Sequence, residues 1–180
     1  SDGKAAAGYR EKARAAAKNI DRYPYRDESE APLAEAVEQD PKDAVARFYL
    51  ACLQYHLGRT EDAIRNWEAA VEASPTDSRM RRALGMAYAE QGKPVEKAAA
   101  QLEKAVDLKP EHVRTMNALS AIYAKAGRFD EQLAMLERAL RRTPEDDNLA
   151  EGVLTANLMT GRYAEADEVV GWQHPAQVAD

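Results

Sequence analysis

Side-chain catalysis needs nucleophiles, acids, bases or metal ligands held close together, and this chain offers few of them. The three histidines, His56, His112 and His174, are too far apart to form the pair at helical spacing that a metallopeptidase site uses. His112 stands just before a helix and is read as a solvated turn residue. Cys52 is the only cysteine; without an adjacent basic activator it reads as a small, semi-buried hydrophobe. A single cysteine also excludes an internal disulfide framework. Acids are numerous, but a run such as Glu145-Asp146-Asp147 suits a solvated helix start, where negative charge complements the helix dipole, better than an acid/base pair. No Gly-rich loop leads into Lys-Ser/Thr to cradle a phosphate, and no nucleophile elbow is present. No catalytic residue, cofactor or metal site is expected, and the chain is not expected to be an enzyme.

Bulk properties narrow the classes further. A net charge of −6, from 25 Lys and Arg against 31 Asp and Glu, argues against general nucleic-acid binding. No apolar run approaches the roughly 20 residues of a membrane span. Abundant Ala, Glu, Arg and Leu with few β-branched residues predict an all-α, soluble protein with no sheet. The cytoplasm is favoured over the periplasm, although a leader removed ahead of Ser1 would leave no trace.

Charge is uneven at the start. Residues 1–26 hold seven Lys and Arg against three acids, and residues 27–43 hold seven acids against Lys42. Residues 4–19, rich in Ala, Lys and Arg, predict a helix. Tyr23-Pro24-Tyr25 breaks it, because proline disfavours helical geometry in the residue before it. A second helix is predicted over Glu30–Gln39, with Pro32 tolerated in the first turn.

A period then emerges. Pro41, Pro75, Pro110 and Pro144 are separated by 34, 35 and 34 residues, and so are Gly58, Gly92, Gly127 and Gly161. Each glycine stands where the first helix of a pair ends, in a left-handed cap that costs glycine nothing sterically. Each proline stops the second helix, and Asp43, Asp77 and Asp146 are placed to cap the next start. Between these marks apolar residues recur at helical spacing: Ala46, Leu50, Leu53 and Leu57 against Ile64, Trp67, Ala70 and Val71 in the first full unit. Ala63, Ala98 and Ala166 occupy the closest crossing of each pair, where a larger side chain would push the axes apart.

These residues resemble the tetratricopeptide repeat. The run Leu84, Gly85, Tyr88, Ala98, Leu102, Ala105, Pro110 matches its pattern, as do Leu50, Ala51, Ala63, Trp67, Ala70, Pro75 and Leu119, Ser120, Tyr123, Leu136, Ala139, Pro144. The resemblance implies a right-handed α-solenoid of antiparallel helix pairs. The expected organisation is an N-terminal helix and degenerate capping repeat over 1–43, full repeats over 44–77, 78–112 (with a one-residue insertion) and 113–146, a partial repeat over 147–171, and a tail over 172–180. The structural core is expected at Leu50, Trp67, Leu84, Tyr88, Leu102, Leu119, Tyr123 and Leu136. Arg47, Arg81 and Met116 stand where the family prefers a large aromatic, Gln54 replaces another aromatic, and Gln132 replaces a crossing alanine. Looser packing is expected in the third unit.

In this family the first helix of each pair lines a concave groove. The positions implied are Phe48, Cys52 and Tyr55, then Arg79, Arg82 and Met86, then Arg114 and Asn117. Phe48, Tyr55 and Met86 would hold an apolar or aromatic anchor of a partner segment; Arg79, Arg82 and Arg114 would pair its carboxylates, and Asn117 its backbone amides. The competing reading packs Phe48 and Tyr55 against the preceding unit and pairs the arginines within the stack. The chaperone-tail carboxylate clamp of some members is not reproduced, because Phe48 and Cys52 occupy the places of its lysine and asparagine. The leading function is a protein-interaction scaffold binding a peptide or protein segment, with no nucleic acid and no membrane insertion.

The far end suggests alternatives. The last helix is expected to stop at Gly171 and dissolve into Trp172-Gln173-His174-Pro175, leaving Val169, Val170 and Trp172 partly exposed on an end without a polar cap. A homo-oligomer through that end is one reading. GKPVEKA, FDEQLAMLERAL and GRYAEADEVV are also similar to a repeat segment in large bacterial proteins of unassigned activity with a carbohydrate-related association. That likeness implies an accessory helical region of a larger enzyme.

Overall fold

The computed structural model describes Gly8, Glu11 and residues 30–173, with side chains to Glu168. Of the helix expected over 4–19 only Gly8 and Glu11, both helical, are described; the break at Tyr23-Pro24-Tyr25, the side chains of Val169, Val170 and Trp172, and the tail beyond Gln173 lie outside the described residues. The chain divides into two compact units, Ser1–Gln91 and Gly92–Asp180. Among the described residues all regular structure is helical, and helices adjacent in sequence pack on one another within each unit.

The first unit contains α1 (Glu30–Gln39), α2 (Ala44–His56), α3 (Thr60–Ala73) and α4 (Ser78–Glu90). Asp43 caps α2, its Oδ1 accepting from the backbone N–H of Val45 at 3.1 Å and Ala46 at 2.9 Å. Asp77 caps α4 in the same way through Arg79 N–H at 2.9 Å. At the α2–α3 turn Gly58 takes φ 77°, and the N–H of Arg59 returns to the carbonyl of Gln54 at 2.8 Å. This six-to-one bond is the Schellman closure that a left-handed glycine permits. The core gathers Leu33 of α1, Tyr49, Leu50 and Leu53 of α2, Ile64 and Trp67 of α3, and Met80 and Leu84 of α4, all buried. Ala63, with no exposed surface, sits among them as the crossing residue.

The second unit contains α5 (Val95–Leu108), α6 (Val113–Lys125), α7 (Phe129–Leu140), α8 (Asp147–Met159) and α9 (Tyr163–Gln173). Asp146 caps α8 through the N–H groups of Asn148 and Leu149. Gly127 and Gly161 adopt φ 70° and 74°, and the N–H groups of Arg128 and Arg162 return to the carbonyls of Tyr123 and Asn157, each at 2.9 Å. Leu102, Met116, Leu119, Leu133 and Leu136 fill the interior, with Ala98 and Ala166 at the crossings. Met116 is fully buried, so the aromatic's place is occupied, whereas Gln132 is only half-buried. The helix α9 runs through Gly171 to Gln173 instead of ending at the glycine. A glycine inside a helix costs only about 1 kcal/mol relative to alanine, and without a left-handed conformation it does not stop one.

Candidate binding faces

The three positions on α2 are placed unequally. Phe48 is 5% exposed and belongs to the cluster that includes Leu33, with its ring edge-on to Tyr49 at 5.5 Å. Cys52 and Tyr55 are partly buried beside the same cluster. Tyr55 lies 5.5 Å from the ring of Trp67, tilted by 49°. Burial pushes the Cys52 thiol up to about 12, with the neighbouring Trp67 side chain opposing the rise. The Trp67 indole N–H is itself buried without a hydrogen-bond partner. Cys52 is therefore an unreactive filler, and Phe48 offers a ligand little more than an edge.

On α4 the arginines differ. Arg79 folds back on its own cap, with Nε 3.2 Å from Asp77 Oδ1 and a terminal nitrogen 2.7 Å from Oδ2. Burial raises the Asp77 carboxyl, but the hydrogen bonds and charge of Arg79 outweigh it and leave that carboxyl below its ordinary value. Arg82, one turn further on, is half-buried and makes no ion pair with a described residue. Met86 is 42% exposed, whereas Met80, Leu84 and Ala87 on the opposite side of α4 are buried. In the second unit Arg114 of α6 is exposed. Asn117, one turn on, is half-buried, with its Oδ1 enclosed and without a hydrogen-bond partner. Of the expected core residues, Tyr88 is half-buried, and Leu50, Trp67, Leu84, Leu102, Leu119, Tyr123 and Leu136 are buried.

Several structural contacts were hidden in the repeat itself. Arg47 and Arg81, at the aromatic-preferring place, each donate Nε to a proline carbonyl six residues back, Pro41 at 2.6 Å and Pro75 at 2.7 Å. Arg47 also donates to Asn66 Oδ1 at 3.0 Å, and Asn66 donates to Gln54 Oε1 at 2.9 Å. A polar ladder between α2 and α3 thus replaces the two missing aromatics. The signal was available, since Arg47 and Arg81 keep the period of Pro41 and Pro75. Among the described residues no three His, Cys, Asp or Glu side chains are grouped to hold a metal, and no helix is long and apolar enough to cross a membrane.

Comparison with known proteins agrees with this geometry. A tetratricopeptide repeat model matches residues 50–111, 82–147 and 122–168, and a second one matches 33–65. No curated protein matches the chain by sequence. Among solved structures, one of MamA protein is 17% identical, with a TM-score of 0.78 over 96% of this chain and 92% of that one. MamA of AMB-1 is 20% identical, with a TM-score of 0.78 over 97% and 93%. YrrB, described as a TPR protein with an unusual peptide-binding site, is 17% identical, with a TM-score of 0.70 over 83% and 76%. At these identities the structural likeness is one of fold. The repeat models are the stronger finding, because they span residues 50 to 168 in the register set by the glycines and prolines: the chain belongs to the tetratricopeptide repeat family.

Proposed function

We propose that the chain is a non-enzymatic interaction scaffold whose first-helix faces receive a peptide or protein segment bearing an apolar or aromatic anchor and acidic residues. The observation that carries this reading is the outward face of α4, where exposed Met86 stands one turn from Arg82, which makes no ion pair with a described residue. An apolar contact beside a free guanidinium suits a hydrophobic side chain flanked by carboxylates. Tyr55, partly buried beside the core cluster, is the aromatic candidate on the first helix of the preceding pair. Arg114 and Asn117 offer the same donors on α6. Arg79 contributes less, because Asp77 already holds it. The fold likeness to YrrB, a protein described as having a peptide-binding site, supports the class of ligand.

The test is Arg82→Glu together with Arg114→Glu, compared with wild type in capture of partners from the native host and in titration of the captured segment. Binding should fall at least tenfold with helicity unchanged. Undiminished binding by a folded double variant would refute the reading.

A second reading is favoured by one feature of the last helix pair. Leu158, Met159 and Tyr163 are 48%, 59% and 67% exposed around the Gly161 turn. This apolar patch supports self-association through that end, or docking on a catalytic domain of a larger protein. Light scattering of wild type and Leu158→Glu checks the former; a monomer at every concentration would remove it.

A further inference from the structure

Four residues before each cap glycine stand Gln54, Tyr88, Tyr123 and Asn157, and seven residues before each helix-stopping proline stand Ala34, Glu68, Glu103 and Glu137. Where the tyrosine is present, its hydroxyl donates to that glutamate: Tyr88 to Glu68 at 2.6 Å and Tyr123 to Glu103 at 2.5 Å. The last repeat keeps the acceptor, Glu137, and lacks the donor. Asn157 occupies the tyrosine's place, 2% exposed, with its Oδ1 buried and without a hydrogen-bond partner. A buried, unsatisfied amide oxygen is costly, so a group that reaches it has something to gain.

Asparagine falls short of tyrosine by most of an aromatic ring, and beside it the second unit opens a cavity of about 500 Å³ lined by both Asn157 and Glu137. That size lies within the range of small-molecule sites. Leu140, Pro144 and Val153 supply apolar walls. Glu165 and Glu168 of α9 add two carboxylates, and the cation among the described lining residues is Arg141, 3.9 Å from Glu137.

We propose that this cavity binds a 4-hydroxyphenyl group that carries a positive charge. The phenol takes from outside the place that Tyr88 and Tyr123 fill from within the chain. Its hydroxyl donates to Glu137, its ring lies against Leu140, Pro144 and Val153, and the Asn157 amide oxygen accepts a further donor. Three carboxylates against one guanidinium favour an ammonium on the ring's substituent and disfavour a carboxylate. The same chemistry is found in a free 4-hydroxyphenyl alkylamine and in a tyrosine flanked by lysine in a partner chain. The site is separate from the faces on α4 and α6 and does not depend on their reading.

The test is titration of the full chain with tyramine, phenethylamine, 4-hydroxyphenylacetate and the tripeptide Lys-Tyr-Lys, followed by the methyl resonances of Leu140 and Val153. Tyramine should shift these methyls saturably, with phenethylamine and 4-hydroxyphenylacetate at least tenfold weaker, because one lacks the donor and the other repels the carboxylates. Asn157→Tyr should fill the cavity, raise the melting temperature and abolish the tyramine shifts. Glu137→Gln alters an exposed carboxylate; it removes the phenol's acceptor as well as one of the three carboxylates that draw the ammonium, so it should weaken tyramine by a clearly larger factor than phenethylamine, and it carries the test if Asn157→Tyr fails to fold. Tighter binding of the tripeptide than of tyramine would assign the phenol to a partner chain, and the reverse order to a free amine, each in support of the site. Equal affinity for tyramine and phenethylamine, no saturable shift in wild type, or undiminished tyramine binding by folded Asn157→Tyr would overturn it.

Discussion

Replacing Trp67 by alanine should cost the chain a large share of its stability. The indole is 4% exposed, sits in the first unit's core and touches the ring of Tyr55. A buried aromatic of this size keeps about 150 to 250 Å² from water, which at about 25 cal/mol per Å² is roughly 4 to 6 kcal/mol. Alanine retains a little of that, and neighbours relax partly into the space, so ~3 to 5 kcal/mol is expected. Against a total of about 5 to 15 kcal/mol this is severe. With a urea slope of about 2 kcal/mol/M the denaturation midpoint should fall by roughly 1.5 to 2.5 M, read by far-ultraviolet circular dichroism. A second readout is local. With its thiol pushed up to about 12, roughly one Cys52 in 10⁵ is a thiolate at neutral pH, so disulfide reagents should label it slowly. Removal of the indole should open the site and speed labelling at least tenfold. A midpoint within 0.3 M of wild type, taken as about 0.6 kcal/mol, together with unchanged labelling, would show that Trp67 does not anchor this core.

Other perturbations test the remaining layers. Burial, and then the hydrogen bonds to Glu68 and Glu103, push the Tyr88 and Tyr123 hydroxyls well above the ordinary tyrosine range. Their contribution to stability is complete below the unfolded value of about 10 and is lost as pH rises through the folded values. Wild type should therefore lose stability above pH 10 more steeply than Tyr88→Phe with Tyr123→Phe. Asp77→Ala removes the α4 cap and should cost about 0.5 to 2 kcal/mol. Because the Asp77 carboxyl is lowered in the fold, that loss should be full above about pH 4 and shrink as acid protonates it, which thermal melts at several pH values will follow. Gly92→Ala meets no atom within 4 Å, so its penalty comes from the backbone at φ +64° alone; about 1 to 2 kcal/mol is expected in chemical denaturation.

Much of the fold was legible because its punctuation is local. A glycine at a left-handed cap, an aspartate at an N-cap and a proline after a helix each act within a few residues, so the turn at Gly58 and the caps at Asp43, Asp77 and Asp146 could be placed from spacing alone. The bounds of α1 were readable for the same reason. The candidate faces were less so. Helical spacing puts Phe48 on the same face as Cys52 and Tyr55, yet it lies in the core cluster with Leu33, because burial depends on which helix covers that face. Arg79 shares a spacing with Arg82 but is held by Asp77, a matter of which way one side chain turns.

By itself the sequence determined the class of molecule: all-helical, periodic, acidic and built from pairs, since period, cap and breaker residues are properties of short stretches read in order. Only the tertiary structure decided what the periodic positions do for one another. Tyr88 meets Glu68, and Tyr123 meets Glu103, across 20 residues of chain. Arg47 joins Asn66 and Gln54 in place of two aromatics. The substitution of Asn157 for tyrosine is plain in the alignment of repeats, but the cavity beside it is not. A volume left empty is set by how three consecutive helices pack on one another, which the spacing of residues along the chain does not specify.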